Sequence, residues 1–364
     1  MYDILILTED YPSGKNKYAN SYVHSRNVVY KKNGIKFIVL SFRSKESYEY
    51  EGIEVVTYND FKTKYSRNKF SLVLSHAPNL KNHIRFLYKY KHLYKKVIYF
   101  IHGHEVLRIN KYYPKPYDFN KSKNIARFFF QGVYDEFKLR VLKHFFIHQI
   151  KQNKAYFVFV SDWMKNEFEK NVCIDKKIIN VYSTIIHNNV NDYFLQKSYK
   201  PNSKWADVVT IRPLDNPKYG IDIVVKIARS NPGLTFHIYG KGNYFKYNEI
   251  PDNVEVFNIF LSHSEIPELL NHYRCALMPT RLDSQGVMMC EMASYGIPLI
   301  TSDISICKEM LAGFNNVYFI KNDLCDIDIT SFIETVDLTK PVNKEKFSLK
   351  NTVLQEIKLI KKYI

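Results

Sequence analysis

The sequence predicts an α/β protein of two doubly wound domains, and three observations carry the prediction. Short apolar runs alternate with helix-length stretches along the chain. The alternation breaks at a polar stretch, QKSYKPNSKWAD, after Tyr193 and then restarts. At 364 residues the chain is long enough for two cores, at about 100–200 residues per domain.

In order, residues 4–7 (ILIL) form a buried parallel strand, ended by the loop of residues 8–14. Residues 21–31 carry Val23, Val28 and Val29 at helical spacing, and Asn33-Gly34 stops that helix. Strands follow at 35–42, 72–75, 97–101, 155–160 and 178–182. After the polar stretch, strands are predicted at 208–211, 235–239, 254–257, 275–278 and 298–301, with helices at 222–230, 265–273 and 288–295. The last segment, 343–364, sets Leu349, Val353, Leu354, Ile357, Ile360 and Ile364 on one helical stripe.

Composition narrows the function classes. An apolar share of 46% with 15% aromatic residues excludes a disordered chain, and 12 glycines without period exclude a fibrous one. No window reaches the roughly 20 uncharged apolar residues of a membrane span. The N-terminus turns acidic at Glu9-Asp10 after one short apolar run, which predicts no signal peptide. Cys173, Cys275, Cys290, Cys307 and Cys325 are odd in number and lack a C-x2-C pair. That argues against a disulfide framework or zinc site and for a reducing, cytoplasmic setting. Residues 1–200 hold 35 Lys and Arg against 17 Asp and Glu, whereas residues 201–364 hold 18 against 19. The whole net charge of +17 thus belongs to the first half. That half interleaves lysines with aromatics at 81–96 and 111–154, a surface suited to phosphate-rich partners: nucleic acid, or an anionic membrane face.

The chemistry concentrates at residues 278–303, MPTRLDSQGVMMCEMASYGIPLITSD. A strand ends at Pro279, a loop holds Asp283, Ser284, Gln285 and Gly286, and a helix begins near Val287. Gly286 lets backbone approach a ligand, and the helix start offers amides to an anion. Asp283 and Glu291 flank that site and can accept hydrogen bonds from hydroxyls. Carboxylates beside an anion site suggest a ligand with both phosphate and polyol groups, such as a sugar nucleotide.

This stretch resembles the E-x7-E signature of family 4 glycosyltransferases, the retaining GT-B class. Further elements fit in the family's order: the loop and helix of 11–26, IHGHE at 101–105, Val-Ser at 160–161 and HNNVN at 187–191, then IRPLDNPKYGID at 211–222 and IYGKG at 238–242. The resemblance implies two Rossmann-like domains facing across a cleft. An acceptor-binding domain would span 1–194 and be completed by a returning helix at 345–364, and a nucleotide-sugar-binding domain would span 195–344. It implies that Arg212 and Lys218 hold the donor diphosphate, that Glu291 takes the ribose hydroxyls, and that the Gln285, Gly286 and Val287 amides meet phosphate and sugar. Asp283 and His102 would meet the donor sugar near the reacting carbon, Ser13 and Gly14 would close over the phosphates, and Glu105 would orient the acceptor. His104 would line the same loop. Three residues depart from the pattern: Asp283 stands where the family has Glu, Gln285 where an aromatic is frequent, and Ser13-Gly14-Lys15 where a Gly-Gly pair is common.

The implied activity is retaining transfer of a sugar from a nucleotide-sugar to a glycan or lipid-linked acceptor, in bacterial polysaccharide or glycolipid synthesis. The nucleotide-sugar is a co-substrate, and neither cofactor nor metal is expected, since no Asp-x-Asp stands at the end of a predicted strand. Closure about residues 190–205 would exclude water. The first half suits a place at the inner face of the cell membrane. Two alternatives compete: a nucleic-acid-binding protein using the basic aromatic surface, and a non-transferring GT-B protein such as a sugar-nucleotide epimerase or an inactive subunit. The first of these predicts nothing about Arg212, Asp283 or Glu291, and no nucleic acid is expected as a partner.

Overall fold

The computed structural model describes every residue except 1, 15, 17, 18, 121–124, 325 and 326. Lys15 and Cys325 therefore lie outside the described residues, as does part of the 111–154 segment. The chain divides into two compact units: Met1–Ile109 with Phe129–Asn188 and Leu349–Ile364, and Asn110–Phe128 with Asn189–Ser348.

The first unit is built on β1 (Ile4–Thr8), β2 (Phe37–Ser41), β3 (Tyr48–Tyr50), β4 (Ile53–Val56), β5 (Phe70–His76), β6 (Tyr94–Ile101), β7 (Ala155–Phe159) and β8 (Ser183–Ile185), in the order 3-4-2-1-5-6-7-8. Only β3 runs antiparallel, against β4. β1, β2 and β7 are apolar because helices cover both faces of a parallel sheet. The helices used below are α1 (Ser21–Lys32), α2 (Ile125–Lys151) and α3 (Lys176–Val181). Residues 178–182, expected as a strand, belong mostly to α3. The Asp175 carboxylate accepts the Lys177 amide at 2.7 Å and starts a helical turn that buries Ile179, and the strand is β8 instead.

The second unit carries β9 (Ala206–Ile211), β10 (Phe236–Tyr239), β11 (Val254–Phe257), β12 (Tyr273–Met278), β13 (Leu299–Ser302) and β14 (Val317–Ile320), all parallel, in the order 11-10-9-12-13-14. Its helices include α4 (Ile221–Ser230) and α5 (Val287–Tyr295). The helix expected at 265–273 stops at Leu270, and Tyr273 opens β12, where its buried ring packs. The segment Asn110–Phe128 joins this unit through Tyr117, whose ring meets Tyr244 at 4.9 Å and whose hydroxyl donates to Asp222 at 2.9 Å.

The last helix, α6 (Val353–Ile360), returns to the first unit. There Glu356 accepts from fully buried Arg26 of α1 at 2.9 Å and from the Tyr30 hydroxyl, while Arg26 also donates to the Tyr22 carbonyl and the Asn188 side chain. A buried pair with this many partners keeps both charges compensated.

Candidate functional site

In a doubly wound sheet, ligands sit at the carboxyl ends of the strands, where the strand order reverses. In the second unit that point lies between β9 and β12, which are neighbours although two strands separate them in sequence. Arg212 follows β9 directly. Lys218 lies on a single turn, Pro217–Tyr219, started by the Asn216 side chain accepting the Lys218 amide at 3.0 Å. The Lys218 carbonyl takes the Thr280 hydroxyl at 3.1 Å and the Arg281 amide at 2.8 Å, so the segment after β12 anchors the turn. Both cations lie over the Tyr219 ring, 5.2 Å from its centroid.

Arg212 is 6% exposed, its Nη2 reaches only the Met278 carbonyl at 3.4 Å, and its buried Nε has no partner among the described residues. Burial pulls its pKa below the ordinary guanidinium value, opposed by Asp283, and it remains a cation. A buried guanidinium with an unpaired donor is costly unless an anion completes it. Lys218 Nζ lies 3.6 Å from Asp283 Oδ2. Burial would raise the Asp283 carboxyl, but Lys218, Arg212 and the Ser284 and Gln285 amides together hold it below the usual range.

Asp283 Oδ1 accepts the Ser284 amide at 2.8 Å and the Gln285 amide at 3.4 Å. The Gln285 amide is spent inside the loop rather than offered to a ligand, and its side chain is 1% exposed. Only one Asp283 oxygen, Oδ2, stays clear of the loop backbone. Gly286 holds φ +71° as the residue before α5, and a Cβ there would meet Met289 Cε at 3.1 Å. Val287 opens α5, and Gly286 before it supplies no side-chain cap to the amides of the helix start.

Glu291, on the second turn of α5, is 2% exposed. Its Oε1 accepts the Asn191 amide at 3.1 Å and lies 3.9 Å from His263 Nε2, while Oε2 has no partner among the described residues. Burial pushes its pKa up to about 8, against the Asn191 bond, and burial pushes His263 down. Acid and imidazole are therefore both mostly neutral at pH 7, and the contact is not an ion pair.

The structure thus brings Arg212, Lys218, Asp283, Gly286 and Val287 to one switch point in the second unit, with Glu291 on the same helix. The Gly-x-Gly pair serves that site from behind. A Cβ on Gly240 would stand 1.8 Å from the Arg212 carbonyl oxygen, and one on Gly242 would stand 2.8 Å from Leu214 Cβ. Its glycines let the Arg212 segment lie against the end of β10.

The remaining candidates belong to the first unit. Its own switch point is β1 beside β5. Ser13 and Gly14 follow β1; the Ser13 hydroxyl accepts the Asn16 amide at 3.3 Å, and Gly14 is exposed. His102 follows β6, half-buried, with its ring 4.6 Å from Tyr22. Glu105 differs from expectation. It is 2% exposed, and its carboxylate accepts the His102 and Gly103 amides, so it shapes the His102 loop rather than facing an acceptor. His104 is exposed, 3.6 Å from Glu105. Sequence reasoning missed Tyr219, His263, Asn191 and the Ser302–Asn322 hydrogen bond at 2.6 Å that braces Thr280. Asn322 was out of reach because it follows β14, a strand not predicted.

Residues 208–335 match the family described as "Glycosyl transferases group 1". The O-antigen biosynthesis glycosyltransferase WclY of Escherichia coli is 25% identical over 187 residues, 45% of this chain and 52% of that protein. The matched part thus spans about half the length of that curated relative. Among solved structures, a sucrose-phosphate synthase from Thermosynechococcus elongatus superposes with a TM-score of 0.69 at 12% identity, covering 100% of this chain and 99% of that one. Anabaena HepE in complex with UDP and glucose gives 0.64 at 12% identity, covering 100% of both. The fold is that of the GT-B glycosyltransferases, as the sequence motifs implied.

Proposed function

We propose that this chain is a retaining, metal-independent glycosyltransferase that moves a sugar from a nucleotide-sugar donor to a hydroxyl of a glycan or lipid-linked acceptor in bacterial surface-glycan assembly. The observation that carries the reading is the buried Arg212 guanidinium with an unpaired Nε, stacked with Lys218 over Tyr219 at the β9–β12 switch point. HepE with UDP and glucose supports a nucleotide-sugar donor, and WclY supports a role in glycan assembly.

As the sugar–phosphate bond breaks, negative charge grows on the leaving diphosphate, and Arg212, Lys218 and the start of α5 would stabilise it. The sugar becomes oxocarbenium-like, and the departing phosphate takes the acceptor proton on the same face, with no side-chain nucleophile. Asp283 Oδ2 and His102 would contact the transferring sugar, and Glu291 Oε2 would receive a ribose hydroxyl. Ser13 would reach the phosphates through its loop.

The acceptor reading leans on surface chemistry. Phe129, Val133 and Phe137 are 67%, 54% and 60% exposed and repeat every four residues along α2, beside exposed Phe130 and Arg140. With the positive excess in the first half of the chain, that face suits an anionic lipid surface, which takes both apolar and basic side chains. No helix among the described residues is long and apolar enough to cross a membrane. Flotation on vesicles with anionic lipid, lost in a Phe129→Ser, Phe137→Ser variant, is the expected result; binding indifferent to lipid charge would refute this placement.

The donor site is tested by thermal shift with UDP, GDP, ADP, CMP and their sugar conjugates, on the native chain and on Glu291→Ala. Stabilisation by one nucleotide series, lost in the variant, is expected. Stabilisation by single-stranded nucleic acid alone would favour the nucleic-acid-binding alternative.

A further inference from the structure

His76 has no part in the scheme above, yet its imidazole meets that of His102. His76 ends β5, and His102 stands just past β6, the adjacent strand. His76 Nδ1 and His102 Nε2 are 3.4 Å apart, which leaves room for one hydrogen between them. His76 is 1% exposed and stacks on Phe100 with centroids 4.3 Å apart, and its Nε2 is buried with no partner among the described residues. The His102 side chain bonds only to His76 among the described residues, so its Nδ1 is unclaimed.

Burial drives both imidazoles well below their ordinary pKa, and Arg26 adds to it for each, as His83 does for His76 and His104 for His102. The Glu105 carboxylate is turned to the His102 and Gly103 amides. Each ring is therefore neutral at pH 7 and carries a single proton. Two arrangements remain. If His102 gives the shared hydrogen, His76 carries its proton on Nε2, and a buried N–H faces no acceptor. If His76 gives it, the unpartnered atom is only a lone pair. Orphaned buried N–H groups are the rarer defect in folded proteins, and the second arrangement is favoured.

We propose that His76 is a positioning residue that donates from Nδ1 to His102 Nε2 and so holds His102 in the tautomer with its proton on Nδ1. His102 then offers a hydrogen-bond donor, not a base, at its free nitrogen. The consequence for catalysis rests on His102 meeting the transferring sugar as proposed above; the tautomer itself does not. It suits a transfer in which the leaving phosphate, rather than a histidine, takes the acceptor proton.

The test is the ring ¹⁵N spectrum of the histidine-labelled, unliganded protein, with His102 assigned by its loss in His102→Gln. The native chain is expected to show His102 protonated on Nδ1. His76→Asn, whose side-chain amide lies near the imidazole Nδ1 position, is expected to keep that tautomer and its turnover. His76→Phe, which removes the donor, is expected to release the tautomer and to slow transfer about tenfold with KM for the nucleotide-sugar unchanged. A proton on His102 Nε2 in the native chain, or an unchanged tautomer in His76→Phe, overturns the proposal. If His76→Phe fails to fold, the native and His76→Asn spectra still decide. The spectrum needs neither donor nor acceptor. A protein that shows the tautomer but transfers no sugar would therefore sink the transferase reading and leave this one standing.

Discussion

Replacing Glu291 with Gln is predicted to stabilise the unliganded second unit near neutral pH and to flatten its pH dependence. The carboxyl is buried, one oxygen takes the Asn191 amide, the other has no partner among the described residues, and burial moves its pKa from 4.5 to about 8. A raised folded-state pKa means that the folded chain binds one more proton than the unfolded chain between about pH 4.5 and 8. The stabilising contribution is complete below the unfolded value and is lost as pH rises through the folded one, at about 1.4 kcal/mol per unit. From pH 5.5 to 7.5 the loss is about 2.5 kcal/mol. His263, lowered by burial, titrates with the opposite sign, but it is present in both proteins, so the difference between them isolates Glu291. The chain holds two tryptophans, Trp163 in the first unit and Trp205 in the second. In a Trp163→Phe background, urea unfolding followed by fluorescence therefore reports the second unit. Native and Glu291→Gln proteins should nearly coincide near pH 4, differ by about 1.4 kcal/mol at pH 5.5 and by about 4 kcal/mol at pH 7.5, with the variant more stable. Parallel pH profiles would refute the reasoning, because they would mean that the carboxyl is ionised in the fold.

Two further outcomes follow from the same unit. Lys218→Ala should weaken a nucleoside diphosphate by about 10–150-fold, the worth of one charge-assisted bond, and leave the bare nucleoside unaffected, as read by calorimetry; equal loss for both ligands would remove Lys218 from the phosphate site. Gly240→Ala should destabilise by about 3 kcal/mol or more, since its Cβ would fall 1.8 Å from the Arg212 carbonyl oxygen, and should lower nucleotide affinity by displacing Arg212. An unchanged unfolding midpoint would show that the β10 turn yields freely.

The sequence by itself determined the two-unit α/β organisation, because buried parallel strands are continuous apolar runs and need no partner to be recognised. It also singled out Arg212, Lys218, Gly286 and Glu291, because motif spacing survives in a linear chain. It misread the segment at 178–182, where a capping Asp175 outweighed β-branched residues, and it passed over β14, an edge strand in which only Ile320 is buried. Only the tertiary structure decided what each polar atom was left to do. Glu105 and Asp283 look alike as loop carboxylates, yet one is consumed by backbone amides and the other keeps an oxygen beside Lys218. Glu291 is a carboxylate in sequence and mostly a neutral acid in the fold, because burial sets its protonation. His76 carries no motif at all, and it matters only because parallel pairing brings β5 beside β6 and its ring within reach of His102. Hydrogen-bond satisfaction and burial are properties of surroundings, and surroundings are assembled from residues far apart in the chain.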